Sequence, residues 1–148
     1  MHLPIKPGAL IPVLILLPNI LWVLLPSKSA TDNSQIPLAL NIAENIGRAA
    51  ILIIPFFYAF DCGRHWSGVA LVVACLALAL YYACWIRYFT GGRTAALIGA
   101  SFIGIPLPLA VAPVVLLIAS SYLLGSWPLL IASVGFGIAH IWVSALTL

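Results

Sequence analysis

The sequence predicts an all-α integral membrane protein of about five transmembrane helices, several of them kinked by proline. Three observations carry that reading. The chain has 148 residues, of which 64% are hydrophobic and only 6% charged, and no soluble fold of this size hides so much apolar surface. Several apolar runs are long enough to cross a hydrocarbon core of about 30 Å. The polar residues collect between those runs, with one conspicuous exception within the second. Residues 1–148 are read as a single polytopic domain, with spans at about 9–25, 36–60, 66–89, 106–124 and 128–147.

The chain opens with a short polar lead, His2 to Gly8, and its first apolar run is Ala9 to Leu25. A signal peptide would carry a small-residue cleavage site; Pro26-Ser27-Lys28 and further comparable runs follow instead, so a retained helix is expected. Pro12 falls in the first turn, where a missing N–H costs little, whereas Pro18 lies inside and frees a carbonyl one turn earlier. Asn19, beside that break, either bonds a neighbouring helix or the freed backbone, or lines a cavity. Trp22 suits an interfacial anchor.

Pro26 to Gln35, with Lys28 and Asp32, is the most polar stretch and reads as a solvent-exposed loop. The second span, from about Ile36 to Phe60, holds the exception: Asn41, Glu44, Asn45 and Arg48. At about 100° per residue these four fall within a third of the helix circumference and form one polar stripe. Glu44 is the only glutamate in the chain. If the helix spans evenly, Arg48 lies near mid-depth and pairs with Glu44 one turn earlier; if the span begins near Gly47, Arg48 snorkels at the interface. Pro55 is expected to kink the second half, ahead of the aromatic cluster Phe56 to Phe60.

Asp61 to His65 reads as a tight turn that makes the second and third spans antiparallel neighbours. On the third, Tyr81, Trp85 and Tyr88 form an aromatic face, either an interfacial belt or a wall for a flat or cationic ligand. Cys62, Cys75 and Cys84 have neither C-x-x-C nor zinc-site spacing. No metal site and no cofactor is expected, and Cys75 and Cys84 read as packing residues. The turn Thr90 to Arg93 carries only a weak anion-binding signal.

Ala95 to Leu124 is too long for one straight span and is interrupted by Pro106-Leu107-Pro108. Residues 95–105 are expected to form a broken, re-entrant or interfacial segment feeding a span at 106–124. Ala96, Ala100 and Gly104 recur every four residues, a stripe on which another helix can approach. In the last span Ser126 is placed as N-cap with Pro128 in the first turn. Ser133, Gly137, His140 and Ser144 share one face, which puts His140 on the small and polar side. There it bonds a backbone carbonyl or serves as a partner for Glu44 and Arg48.

The net charge of +3 is spread along the chain, and nucleic-acid binding is not expected. Three basic residues on one side against two on the other give a weak preference for an outside N-terminus and an inside C-terminus, in a plasma (inner) membrane. Glu44-Asn-Ile-Gly-Arg48 and Phe136-Gly-Ile-Ala-His140 look like fragments of the E-E-x-x-x-R and F-x-x-x-H motifs of intramembrane CAAX-type proteases. In that family such residues activate water. Ala43 stands where the first glutamate would be, the later histidine motif is absent, and the match covers about ten residues, so the family is not assigned.

The function expected is the binding or transport of a small amphipathic or anionic solute, or of lipid. Its buried polar site is built from Asn41, Glu44, Asn45 and Arg48, with Asn19 and His140 as companions. Catalysis is not the favoured reading. One alternative is a structural or accessory subunit, a homo-oligomer or the partner of another membrane protein; the other is an intramembrane hydrolase using Glu44 and His140.

Overall fold

A computed structural model describes residues 6–28 and 36–147. The polar lead before Lys6 and the stretch 29–35 of the expected loop, with Asp32, lie outside the described residues. Six α-helices follow in order: α1 (Leu10–Leu24), α2 (Leu38–Ile53), α3 (Ser67–Thr90), α4 (Ala95–Gly99), α5 (Pro108–Leu123) and α6 (Trp127–Thr147). Short 3-10 turns, Pro7–Ala9 and Ile54–Phe57, extend α1 at its start and α2 at its end. Four of these units are long and apolar enough to cross a membrane: Pro7–Leu24, Leu38–Phe57, Ser67–Thr90 and Trp127–Thr147. The chain is therefore a membrane protein. The span expected at 106–124 corresponds to α5, which at 16 residues is shorter than these four.

Burial explains why α5 differs from the rest. Twelve of its residues are buried. It is flanked by α3 on one side and by α6 on the other, and α6 in turn carries α2. Most other helices leave large apolar side chains uncovered on their outer faces, Val23 and Leu24 on α1 and Leu76 on α3 among them. That outward apolarity is what lipid tolerates. Small residues set the helix spacing inside the bundle. A Cβ on Gly137 would lie 2.6 Å from Val114 Cγ1, and one on Gly47 would lie 2.9 Å from Phe136 Cβ, so α6 is in close contact with both α5 and α2.

Some expectations need correction. The second and third spans are not packed side by side, since α5 and α6 stand between α2 and α3. The Asp61 to Trp66 loop lies instead across the end of α5, where Asp61 N–H donates to the Leu123 carbonyl at 2.7 Å and Arg64 Nη1 to the Tyr122 carbonyl at 3.0 Å. The second span ends as a helix at Ile53 because Pro55 has no N–H for the Ile51 carbonyl. The Ala96/Ala100/Gly104 stripe does not sit on one helix. Arg87 explains this: its guanidinium donates to the carbonyls of Leu97 (3.2 Å), Ala100 (2.9 Å) and Ser101 (3.1 Å) and lies over the Phe102 ring. Those carbonyls are thus satisfied by Arg87 and not by a continuing helix, and the chain turns back through Phe102 and Ile105. The N-cap of α6 is where the sequence places it, with Leu129 N–H donating to Ser126 Oγ at 3.3 Å.

The remaining helix, α1, is attached by polar contacts. Pro18 removes the donor for the Leu14 carbonyl, and the Tyr82 hydroxyl of α3 donates to that carbonyl at 2.8 Å. One turn along, the Asn19 amide donates to Tyr81 Oη and to the Ile15 carbonyl, each at 2.7 Å, while Tyr81 Oη donates to the Ile15 carbonyl at 3.2 Å. A proline inside a lipid-embedded helix is tolerated when a neighbour takes up the freed carbonyl. Tyr82→Phe leaves that carbonyl without its partner. We expect a loss of about 1 kcal/mol in thermal unfolding of the detergent-solubilised protein.

Candidate functional site

The polar stripe of α2 divides in two. Glu44 is 5% exposed and faces α6. Its Oε1 accepts from Arg48 Nη2 at 2.5 Å and from His140 Nδ1 at 2.8 Å. The Arg48 contact follows from the i, i+4 spacing of one helix. The His140 contact joins residues 96 positions apart, and it forms because Gly47 lets the α6 backbone approach one turn further along α2. His140 also stacks on Phe136, with ring centroids 4.8 Å apart and planes 14° apart, which fixes the imidazole plane. A carboxylate that already holds a guanidinium is ionised and can only accept. His140 Nδ1 is therefore a protonated ring nitrogen, which leaves Nε2 as the position for a second proton.

Asn41 and Asn45 are outside this constellation. Both are exposed, and Asn45 Nδ2 donates to Asn41 Oδ1 at 2.8 Å and to the Asn41 carbonyl at 2.9 Å. They satisfy one another on the outer side of α2. The stripe expected as one surface is a buried Glu44 edge and an exposed Asn41/Asn45 edge, with Arg48 between them.

Arg48 and His140 line a partly open cavity of about 410 Å³ between α1, α2, α3, α5 and α6. Arg48 keeps 49% of its side chain exposed and His140 keeps 23%. Asn19 and Trp22 of α1 form one wall, and Tyr81 and Trp85 of α3 another. Ile51, Leu109, Pro113 and Phe136 make much of the remainder apolar, while Ser144 adds a hydroxyl on the α6 side. Glu44 is not among the lining residues; it stands behind Arg48 and His140 and orients both. Pro113 removes the helical donor for the Leu109 carbonyl within the same wall.

The position of Arg48 along α2 follows from residue count. Leu38–Phe57 has 20 residues, and Arg48 is about 15 Å along it from Leu38 at 1.5 Å per residue. The guanidinium therefore belongs to the middle of this element and not to its end. Glu44, one turn earlier on the same helix, supplies its partner within the protein.

Of the sequence-identified residues, Asn19, Glu44, Arg48 and His140 are brought to the cavity or directly behind it, and Asn41 and Asn45 are not. Tyr81, Trp85 and Tyr88 are all buried, packed against α5 and the 97–102 segment, so this face is no lipid-facing belt. Tyr81 and Trp85 reach the cavity. The Tyr82 contact was missed in the sequence, although the carbonyl freed by Pro18 was its signal. Among the described residues no group of three His, Cys, Asp or Glu side chains could hold a metal ion. Cys84 is buried, as expected of a packing residue, while Cys75 faces outward.

Compared with known proteins, the chain matches no protein-family model, no curated protein and no solved structure.

Proposed function

We propose that the protein binds or transports a small amphipathic anion, a single-chain lipid or a comparable solute, in the cavity between α1, α2, α3, α5 and α6. The observation that carries this reading is Arg48: a guanidinium oriented by Glu44 on the wall of a mainly apolar cavity of about 410 Å³. That volume falls in the range of small-molecule sites, which are mostly apolar with a few placed polar groups. Arg48 would meet the anionic group, Asn19 and Ser144 would orient it, and the apolar walls would take the tail. In this reading α5 also spans, making five spans in all, and prolines 18, 55 and 113 relax the helices around the site. Residues 95–105 close one end, and the chain sits in the plasma (inner) membrane with its N-terminus outside.

A density map of the solubilised protein, with mass spectrometry of what co-purifies, tests it. Wild type is expected to hold an amphiphile beside Arg48, and Arg48→Ala to lose at least about tenfold of it, the equivalent of one charge-assisted contact. An equal amount on folded Arg48→Ala protein refutes the reading.

One observation favours a second reading, the accessory subunit. Asn41 and Asn45 present an amide pair on the outer side of α2, where a partner helix could bond to it. Purification as a stable monomer with no partner would count against that. The hydrolase reading gains nothing, because Glu44 Oε1 is occupied by Arg48 and His140 and the residue does not reach the cavity wall.

A further inference from the structure

We infer that the site takes up its anion together with one proton, which is held on His140. The inference rests on the anionic-ligand reading above and follows from the charges around the cavity. Glu44 and Arg48 cancel, so the empty site is neutral when His140 is neutral. An anion arriving at Arg48 leaves the cluster with one uncompensated negative charge among apolar walls, and such a charge is costly in a low-dielectric setting.

The groups able to respond can be named element by element. From α2 the charged side chains are Glu44 and Arg48; the lining residues of α1 include Asn19, which is neutral; α3 contributes the Tyr81 hydroxyl. From α5 and α4 the described lining residues are apolar, and α6 itself adds Ser144. Histidine is the side chain whose ordinary charge change falls between about pH 5 and 8. His140 is already oriented for it. Nδ1–H is spent on Glu44, the ring is stacked on Phe136, and Nε2 is left to take one proton from the bulk buffer as the ligand enters. The balance is simple: one anion and one proton enter, Nε2–H forms, and the cluster returns to neutrality with no other bond made or broken.

The test uses octanesulfonate, an anion that carries no proton in this pH range, and the full chain in nanodiscs of zwitterionic phospholipid. Titration calorimetry in buffers of different ionisation enthalpy counts the protons bound with each anion, and Arg48→Ala nanodiscs correct for partition into lipid. Near pH 8 the wild type is expected to take up close to one proton per anion, and its affinity to fall about tenfold per pH unit above that. His140→Gln should bring the proton count to near zero. So should Glu44→Gln, for a different reason: the site is then cationic when empty, the anion alone neutralises it, and the affinity becomes flat with pH. Nitrogen-15 spectra of labelled histidine supply an independent readout, with Nε2 unprotonated in the empty protein and both ring nitrogens protonated in the loaded one. Arg48-dependent binding with no proton uptake overturns this inference and leaves the binding reading intact. Absence of Arg48-dependent binding overturns both.

Discussion

Gly47→Leu is expected to be the most damaging single substitution in the bundle. A Cβ at this position already meets Phe136 Cβ at 2.9 Å and Phe136 Cα at 3.0 Å. The second of these atoms is backbone, so no side-chain rotation relieves the clash. The two helices have to separate, and three further carbons make the separation larger. Overpacking typically costs about 1–3 kcal/mol; the upper end applies because the obstacle is a helix axis. Separation also withdraws His140 from Glu44, whose contact lies one turn away. Thermal unfolding in detergent should report the loss of stability, and the histidine nitrogen-15 spectrum should report loss of the Nδ1–H to carboxylate hydrogen bond. An unchanged midpoint would mean that α2 and α6 are not in this close contact.

The second large effect is expected for Glu44→Ala. Truncation leaves a guanidinium at mid-helix and an imidazole N–H without their shared acceptor. Removing one member of a buried ion pair costs about 3–5 kcal/mol, and half-exposure of Arg48 reduces that to roughly 2–4 kcal/mol here. Glu44→Gln keeps an amide oxygen for both donors and should cost clearly less in stability. The ordering wild type, Glu44→Gln, Glu44→Ala in unfolding midpoint is the expected result. Equal midpoints for the two variants would mean that the carboxylate position carries no such load.

These substitutions also show how far the sequence alone could be read. The apolar runs located the long helices, and the i, i+4 spacing of Glu44 and Arg48 anticipated their pairing, because both depend on neighbours along the chain. Which edge of the α2 stripe faces inward depends on α6, a helix about 90 residues distant. On a helical wheel Glu44 and Gly47 are about 60° apart, with Ile51 between them; all three are buried or in close contact. Asn41 and Asn45 lie on the other side of Arg48 and turn outward. Gly47 held the clue, as the one residue of α2 with no side chain, but a glycine does not name its partner. The 95–105 segment was legible as a break and not as a shape, since its path depends on three carbonyls bound by Arg87. Placing α2 beside α3 followed the shortness of the connecting turn. The core instead places α5 and α6 between them.

The pairing of Tyr82 with the Leu14 carbonyl has one more consequence. Apolar contact between α1 and its neighbours discriminates little in a bilayer, where lipid tails replace side chains at almost no cost. A hydroxyl aimed at one particular carbonyl does discriminate. Moving α1 by a single residue advances it about 1.5 Å and rotates it about 100°, which carries the Leu14 oxygen out of reach of Tyr82 and Asn19 away from Tyr81. The tyrosine pair thus acts as an index pin for α1, and the proline that interrupts the helix's own bonding is what supplies the hole.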